Sequence, residues 1–303
     1  MKKTIDIRDM DKERLAVIEN IRSSLSRGDS FRKVELHDPV VTDEDVKRVI
    51  VPFDTLRKKP LNKIKAVIAR IIAERETKRL NVNTEIVGLE NALSVKGGAI
   101  ITCNHFNIID NTVVRHLAMK CARHRSFHIV VQETNIFMKG FFGFLMKNCN
   151  TLPVSKSPSY MAKNLMPALR KILGEGGTVL IYPEQEMWFN YKKPRELREG
   201  AYYYAFELSV PIIPCFVELR ETSEVGEGGF YKIKHIIHVM PPIYPDTSLD
   251  KRTGYQKMRD EDARLKRECY ERAYGESPDT DTPFNPERDI AGYRTNKIAK
   301  NLD

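Results

Sequence analysis

Short apolar runs alternate with stretches of helical spacing through the middle of the chain. The runs are rich in β-branched and aromatic residues, and they span 98–103, 127–132, 177–182, 210–217 and 231–240. Each predicts a buried strand, and the segments between them at 111–121, 160–173 and 198–208 have the apolar spacing of helices. This alternation predicts the α/β fold class, with a single layered domain built on a mostly buried mixed sheet flanked by helices.

The two ends of the chain differ from the middle in their pattern of apolar and charged residues. Residues 1–55 are rich in charge and contain one weak helical pattern near 12–25. Residues 251–303 contain a predicted helix at 254–274, followed by a loop at 277–283. We therefore predict helical or irregular extensions at 1–55 and 251–303, a basic amphipathic helix at 56–82 and a central domain at 83–250.

The composition restricts the class of protein. Of the 303 residues, 41% are apolar and 30% are charged, which excludes wholesale disorder and collagen-like or low-complexity chains. No window approaches the roughly 18 to 20 uninterrupted apolar residues of a membrane-spanning helix, and the first residues lack the apolar centre of a secretory signal. The five cysteines are widely spaced and form no Cys-x-x-Cys pair, which favours reduced thiols. We expect a cytoplasmic protein.

Positive charge is concentrated in one predicted helix at 56–80. This helix holds nine basic and two acidic residues, a net charge of +7, against +9 for the whole chain. Its apolar residues recur at helical intervals and are Leu61, Ile64, Val67, Ile68, Ile71 and Ile72. Such a helix can lie on an anionic membrane surface with its apolar stripe in the acyl boundary. The same stripe can instead pack on the domain, and both interpretations stay open.

The first block with candidate chemistry is Asn-His-Phe-Asn-Ile-Ile-Asp at 104–110. It lies where a predicted strand ends and a helix begins, the usual place for a catalytic group on an α/β sheet. Asp110 can reach back to one imidazole nitrogen of His105, which leaves the other nitrogen able to accept a proton. With seven histidines and 41 acidic residues, about one His-x4-acid pair is expected by chance, so this spacing alone is weak evidence.

Three further blocks follow in order. They are Thr-Leu-Pro-Val-Ser-Lys at 151–156, Tyr-Pro-Glu-Gln-Glu at 182–186 and Val-Pro-Ile-Ile-Pro at 210–214. Together with the first block, they resemble the glycerolipid acyltransferase family, which includes glycerol-3-phosphate and lysophosphatidic acid acyltransferases. The resemblance covers roughly residues 85–245, and the first block is a full match to the family's Asn-His-x4-Asp.

The resemblance implies a reaction and two catalytic residues. His105 would act as general base on an acceptor hydroxyl, and Asp110 would orient the imidazole. The acyl group would come from a thioester of coenzyme A or acyl carrier protein, so no nucleophilic Ser or Cys is needed and Cys103 is interpreted as core. The resemblance implies an O-acyltransferase like the 1-acylglycerol-3-phosphate enzymes, which transfers a fatty acyl group to a lysophospholipid or glycerol-phosphate acceptor.

The same resemblance implies the partners. They are the thioester donor as co-substrate, the lysolipid acceptor and a membrane surface, with the protein peripheral on the inner face of the membrane. Neither a further cofactor, a metal nor a nucleic acid is expected. His235 and His238 lie three apart in a predicted strand and so point to opposite faces, whereas His37, His116, His124 and His128 form no usable pattern.

Two blocks depart from the family pattern. The third usually reads Phe-Pro-Glu-Gly-Thr-Arg, and here Glu184 is retained while Glu186 and Met187 stand in place of the Thr and the Arg. An arginine can grip two phosphate oxygens, so its loss weakens the case for a phosphate acceptor. The second block commonly ends in arginine and here ends in Lys156.

Two explanations of the missing arginine stay open. Lys192, Lys193 and Arg195 follow the third block and can place a cation in the site. Together with Lys156 of the second block and Glu184 of the third, they are the candidate substrate-binding residues. Alternatively, the acceptor carries no phosphate there and is a glycolipid hydroxyl or an amine. The basic cluster at 192–195 can also be a solvated loop, and a non-catalytic basic membrane-binding module is a third possible function.

An aromatic and methionine-rich stretch at 137–146 is a further candidate. Most such stretches belong to the core. In a lipid enzyme, this one can also line the groove for the acyl chain or dip into the bilayer surface, and the sequence does not decide between these interpretations.

Overall fold

The structure is a computed structural model that describes residues 7–36, 39–123, 126–226, 229–279 and 282–294. His37, His124 and part of the predicted 277–283 loop lie outside the described residues. The helices are α1 (Ile7–Ser26), α2 (Asp43–Asp45), α3 (Phe53–Arg57), α4 (Pro60–Leu80), α5 (Leu89–Ser94), α6 (Asp110–Lys120), α7 (Glu133–Ile136), α8 (Gly140–Asn148), α9 (Pro158–Tyr160), α10 (Met166–Gly174), α11 (Gly200–Glu207), α12 (Lys251–Tyr274) and α13 (Pro286–Asp289), with π-helical turns at Val46–Ile50 and Met161–Leu165.

Seven strands form one mixed sheet in the order β1-β7-β6-β2-β5-β3-β4. They are β1 (Glu85–Val87), β2 (Ala99–Thr102), β3 (Phe127–Gln132), β4 (Thr151–Val154), β5 (Thr178–Ile181), β6 (Ile212–Val225) and β7 (Tyr231–Val239). The five strands from β6 to β4 are parallel, and β7 runs antiparallel to β6. Every residue of β2 and β5 is buried, as expected for the centre of a sheet covered on both faces.

The predicted α/β class and mixed sheet are confirmed. All five predicted strands are present, although β6 continues to Val225 because it pairs with β7 in a long hairpin. The predictions included no strand at β1, which has only three residues, too few for an alternating pattern to stand out, and none at β4, which has four.

The basic helix begins later than predicted. A separate short helix, α3, ends at Arg57, and α4 starts at Pro60 rather than at residue 56. Proline suits the first turn of a helix because its missing N–H has no intrahelical partner there. The prediction of one continuous helix from residue 56 is therefore wrong at its start.

The apolar stripe of α4 faces outward. Leu61, Ile64, Ile68 and Ile71 are 63%, 59%, 46% and 60% exposed. The opposite face, which buries Ala69 and Thr77, lies towards the domain, where α4 contacts α6 and α8. The stripe is therefore not the surface by which α4 packs on the described part of the domain.

The N-terminal region packs on the loop after β5. Val17, Ile18 and Ile21 of α1 and Val34 of the segment that follows are buried in a second apolar cluster, which also contains Trp188, Tyr191, Phe230 and Ile290. We refer to residues 28–36 as the N-terminal strap. Although the sequence shows residues 1–55 only as charge-rich, the strap lies against the loop that follows the third block.

The C-terminal helix α12 covers the sheet near the end of β2. Asp262 and Lys266 of this helix are fully buried and form an ion pair. Thr102 and Tyr202 donate hydrogen bonds from their hydroxyls to Asp262 Oδ2 at 2.6 and 2.5 Å. This polar network ties α12 and α11 to Thr102, the last residue of β2, which lies two residues before the first block.

No helix in the described ranges combines the length and the apolar character needed to cross a membrane.

Candidate active site

Two loops meet where the parallel strands β2 and β5 end side by side. The first block follows β2, and the third block follows β5. Because parallel neighbours present their carboxyl ends at the same edge of the sheet, the two blocks lie together. Once β2 and β5 are known to be adjacent and parallel, the sequence predicts that the first and third blocks lie together.

His105 and Asp110 are in direct contact. The Nδ1 of His105 lies 2.6 Å from Oδ2 of Asp110, and the two side chains are 22% and 2% exposed. Asp110 is the first residue of α6, where the helix dipole stabilises a negative charge. With Nδ1 donating to this carboxylate, Nε2 carries the lone pair, and it has no hydrogen-bond partner among the described residues.

The carboxylate of Asp110 is held by further donors. The backbone N–H groups of Phe106 and Asn107 donate to Oδ2 at 3.0 and 3.4 Å, and the hydroxyl of Tyr182 donates to Oδ1 at 2.7 Å. Burial raises the pKa of Tyr182 well above its ordinary value, and the nearby Asp110 adds to this, so the phenol stays a donor. The carboxylate is therefore fixed even apart from the imidazole.

Tyr182 was not predicted as a site residue. Its ring stacks on the His105 imidazole with centroids 4.0 Å apart and planes inclined by 11°. It thus contacts both members of the pair, and it fixes the plane of the imidazole. The sequence feature that could have identified Tyr182 is its position directly after β5, as the first residue of the third block.

Glu184 and Arg195 are brought to His105 but bind each other. Oε2 of Glu184 accepts from the His105 backbone N–H at 3.1 Å and from Nη2 of Arg195 at 3.0 Å. Arg195 also donates to the carbonyl oxygens of Ser30 (2.9 Å) and Glu186, and its guanidinium lies 4.5 Å over the Trp188 ring. Burial lowers the pKa of Arg195, while Glu184 opposes this shift. The polar atoms of Glu184 and Arg195 therefore bind each other and backbone groups of the protein.

Backbone hydrogen bonds join the two loops. The N–H groups of Trp188 and Asn190 donate to the carbonyl oxygens of His105 and Phe106 at 3.0 and 2.8 Å. Gln185 adopts a left-handed φ of 62° at the position where the family pattern has glycine, the residue that takes this conformation without steric cost. The loop thus keeps the glycine-like geometry although the residue differs.

The remaining predicted cations lie elsewhere. Nζ of Lys193 is 3.7 Å from Asp289 Oδ1 of α13, and Nζ of Lys192 lies 5.5 Å from the ring centroid of Tyr274 in α12. Lys156 is exposed after β4, three strand positions from β2, which is roughly 14 Å at the usual strand spacing. Lys192 and Lys193 therefore lie against α12 and α13, and Lys156 lies further along the edge of the sheet.

The aromatic stretch is only partly core. Phe137 and Met146 pack against the main apolar core, whereas Phe141 and Phe142 of α8 are 53% and 46% exposed. The helix α8 packs beside α4, so these two exposed rings lie on a neighbour of the basic helix.

The described residues contain no cluster of ligands for a metal ion. The cysteines are free thiols, and Cys103 is fully buried, which raises its pKa well above the ordinary value. A protonated buried thiol is not a nucleophile, in line with the interpretation of Cys103 as core.

Comparisons with known proteins identify the class of enzyme. Residues 83–218 match the family model described as acyltransferase. Among solved structures, the chain is similar to the crystal structure of the 1-acyl-sn-glycerophosphate (LPA) acyltransferase PlsC from Thermotoga maritima, with 14% sequence identity, a TM-score of 0.42, and coverage of 72% of this chain and 87% of that chain. No curated protein matches the sequence. The region 83–218 contains all four blocks, so the match to the acyltransferase model covers the whole of the candidate site.

Proposed function

We propose that this acyltransferase moves a fatty acyl group from a thioester of coenzyme A or acyl carrier protein to a hydroxyl of a lipid acceptor, with His105 as general base. The observation that supports this most is the imidazole itself. Asp110 holds Nδ1, while Nε2 has no partner among the described residues and the ring is partly exposed.

Each step of the reaction uses these groups. The acceptor hydroxyl gives its proton to Nε2 as its oxygen attacks the thioester carbonyl, and Asp110 stabilises the imidazolium that forms. When the tetrahedral intermediate collapses, the carbon–sulfur bond breaks and the thiolate takes the proton back from Nε2. The products are an ester and a free thiol, and His105 returns to its neutral form.

The acceptor has two candidate classes. The family resemblance favours a lysophospholipid or glycerol phosphate, as for a 1-acylglycerol-3-phosphate acyltransferase. The second candidate, a glycolipid hydroxyl or an amine, is favoured by the third block, where the family arginine is replaced by Met187 and the nearby Arg195 is paired with Glu184. Lys156, Lys192 and Lys193 remain candidate ligands for a phosphate.

Analysis of the reaction products tests this function. Purified protein is incubated with oleoyl-CoA or oleoyl-acyl carrier protein and a mixed lysolipid extract, and the products are identified by mass spectrometry. We expect one class of diacyl product that grows with time and with enzyme. If neither donor yields an acylated lipid above the no-enzyme control, the proposed reaction is wrong.

We also propose that the protein lies peripherally on the cytoplasmic face of an anionic membrane through a surface formed by α4 and α8. This surface combines the exposed residues Leu61, Ile64, Ile68, Ile71, Phe141 and Phe142 with the basic flanks of α4. Exposed apolar side chains with a cationic rim match a bilayer whose headgroups are negatively charged.

We expect sedimentation with vesicles to detect membrane binding through this surface. Ile64→Asn and Ile71→Asn should each lower the partition coefficient on phosphatidylglycerol-containing vesicles by about tenfold or more, because each removes an exposed isoleucine from the bilayer contact. Val87→Asn is a matched control, since Val87 is an exposed branched residue of the edge strand β1 and belongs to neither α4 nor α8. Equal recovery of the wild type on anionic and on zwitterionic vesicles would contradict the electrostatic part of the proposal.

A further inference from the structure

Tyr182 holds both members of the catalytic pair through two different contacts. Its ring stacks on the imidazole of His105, with ring centroids 4.0 Å apart and planes inclined by 11°. From this position its hydroxyl donates to Oδ1 of Asp110 at 2.7 Å. The other carboxylate oxygen, Oδ2, lies 2.6 Å from Nδ1 of His105. Each oxygen of Asp110 therefore holds one ring, and the two rings are stacked on each other.

The hydroxyl of Tyr182 has a place in this arrangement that no other described donor fills. Oδ2 of Asp110 also accepts from the backbone N–H groups of Phe106 and Asn107. Oδ1, in contrast, takes the hydroxyl of Tyr182 as its one donor among the described residues. Without this bond the carboxylate would be held at a single oxygen. Rotation about its Cβ–Cγ bond would then carry Oδ2 away from Nδ1 of the imidazole.

The ring of Tyr182 contacts the imidazole where positive charge develops. In the proposed reaction, His105 becomes an imidazolium when it takes the proton of the acceptor. A positive charge over the face of a tyrosine ring is attracted by the negative charge density of that face. This attraction is weak for the neutral imidazole of the resting enzyme, so it lowers the barrier of the reaction rather than strengthening the binding of substrate.

The family pattern separates the contribution of the ring from that of the hydroxyl. Its third block begins with phenylalanine, which can supply the stacked ring and has no hydroxyl. The bond from the hydroxyl of Tyr182 to Asp110 is therefore a feature of this chain and not of the family pattern.

We propose that Tyr182 is a positioning residue for the general base, which fixes the orientation of Asp110 through its hydroxyl and the plane of His105 through its ring. This inference rests on the proposed role of His105. Tyr182 transfers no proton: its hydroxyl keeps its own hydrogen, and the proton of the acceptor goes to Nε2 of His105 and then to the thiolate. Because this role concerns the proton transfer, it affects kcat rather than KM.

Two substitutions of Tyr182 separate its hydroxyl from its ring. Tyr182→Phe removes only the hydroxyl, and Tyr182→Leu also removes the ring. The rate is release of thiol from oleoyl-CoA or oleoyl-acyl carrier protein, with the mixed lysolipid extract as acceptor. We expect kcat to fall about tenfold in Tyr182→Phe, because a hydrogen bond to a charged group is lost. In Tyr182→Leu it should fall by about a further threefold or more. The KM for the thioester should change by less than about twofold in both.

A double-variant cycle shows whether the hydroxyl acts through Asp110. In an Asp110→Asn background, the carboxylate that Tyr182 positions is already absent. Adding Tyr182→Phe should therefore lower kcat by less than about twofold. If Tyr182→Phe lowered kcat by the same factor with and without the carboxylate, the hydroxyl would act independently of Asp110 and the proposal would be wrong.

Tyr202→Phe is the matched control. Tyr202 also donates its hydroxyl to a buried carboxylate, that of Asp262 in α12, at 2.5 Å. Its loss should lower the midpoint of thermal unfolding and keep kcat within about twofold of the wild type. A readout without turnover is the exchange with water of the Nδ1 proton of His105, measured by NMR and assigned by its absence in His105→Ala. This exchange should become faster in Tyr182→Phe and stay unchanged in Tyr202→Phe.

The results distinguish the role of Tyr182 from the reaction as a whole. A Tyr182→Phe variant that keeps the kcat of the wild type, or whose loss is confined to KM, overturns the positioning role even if His105→Ala is inactive. If that variant keeps full kcat and only unfolds at a lower temperature, as expected for Tyr202→Phe, the hydroxyl is purely structural. An active His105→Ala would instead contradict the proposed function itself.

Discussion

Replacing His105 by alanine is expected to lower kcat for acyl transfer by about 10²- to 10⁴-fold, the usual contribution of general base catalysis. The fold should survive, because Asp110 keeps its bonds from Phe106, Asn107 and Tyr182 after the imidazole is removed. The rate is measured by release of free thiol from the acyl thioester, and folding by the midpoint of thermal unfolding.

A histidine outside the site serves as the matched control. His116 is half-buried on α6, two turns after Asp110, and His116→Gln should retain most of the wild-type rate. If His105→Ala kept a third or more of the wild-type rate with every acceptor, the assignment of the general base would fail.

Replacing Lys266 by methionine is expected to destabilise the protein by about 3–5 kcal/mol, because it leaves Asp262 as a buried charge without its cation. Both side chains are fully buried. The hydroxyls of Thr102 and Tyr202 would still donate to Asp262, but neutral donors do not replace the Coulomb attraction of the ammonium. The free energy of unfolding is measured in urea.

A double variant distinguishes a broken ion pair from lost packing. In Asp262→Asn with Lys266→Met, both charges are absent while the side-chain oxygen at 262 still accepts from Thr102 and Tyr202. The loss of stability should therefore be much smaller than in Lys266→Met alone. A double variant as unstable as the single one, or a single variant that costs less than about 1 kcal/mol, would show that the pair contributes little.

The local features of the fold were predictable, and the long-range ones were not. The runs of β-branched and aromatic residues identified five strands, of which β2 and β5 are buried along their whole length. The pairing of His105 with Asp110 was predictable because both lie within one turn between β2 and α6. The start of α4 at Pro60 also had a local signal, although the prediction placed it earlier.

Contacts between distant parts of the chain have no such signature. Tyr182 lies 72 residues from Asp110, and Ser30 lies 165 residues from Arg195. Helical periodicity identifies an apolar stripe, but it does not state which face of α4 packs on the domain, since that depends on the neighbours supplied by the fold. For the same reason, the charge-rich N-terminal region gave no indication that the N-terminal strap bonds Trp188 and Arg195.

The position of Trp188 gives the protein an internal optical reporter. It is the single tryptophan of the chain, and its ring is fully buried between Arg195 and the strap. Its indole N–H donates a hydrogen bond to the carbonyl oxygen of Arg32, and its backbone N–H donates to the carbonyl oxygen of His105. Its fluorescence emission is therefore a direct, label-free measure of whether the N-terminal strap is seated on the catalytic loop, in the free enzyme and on vesicles alike.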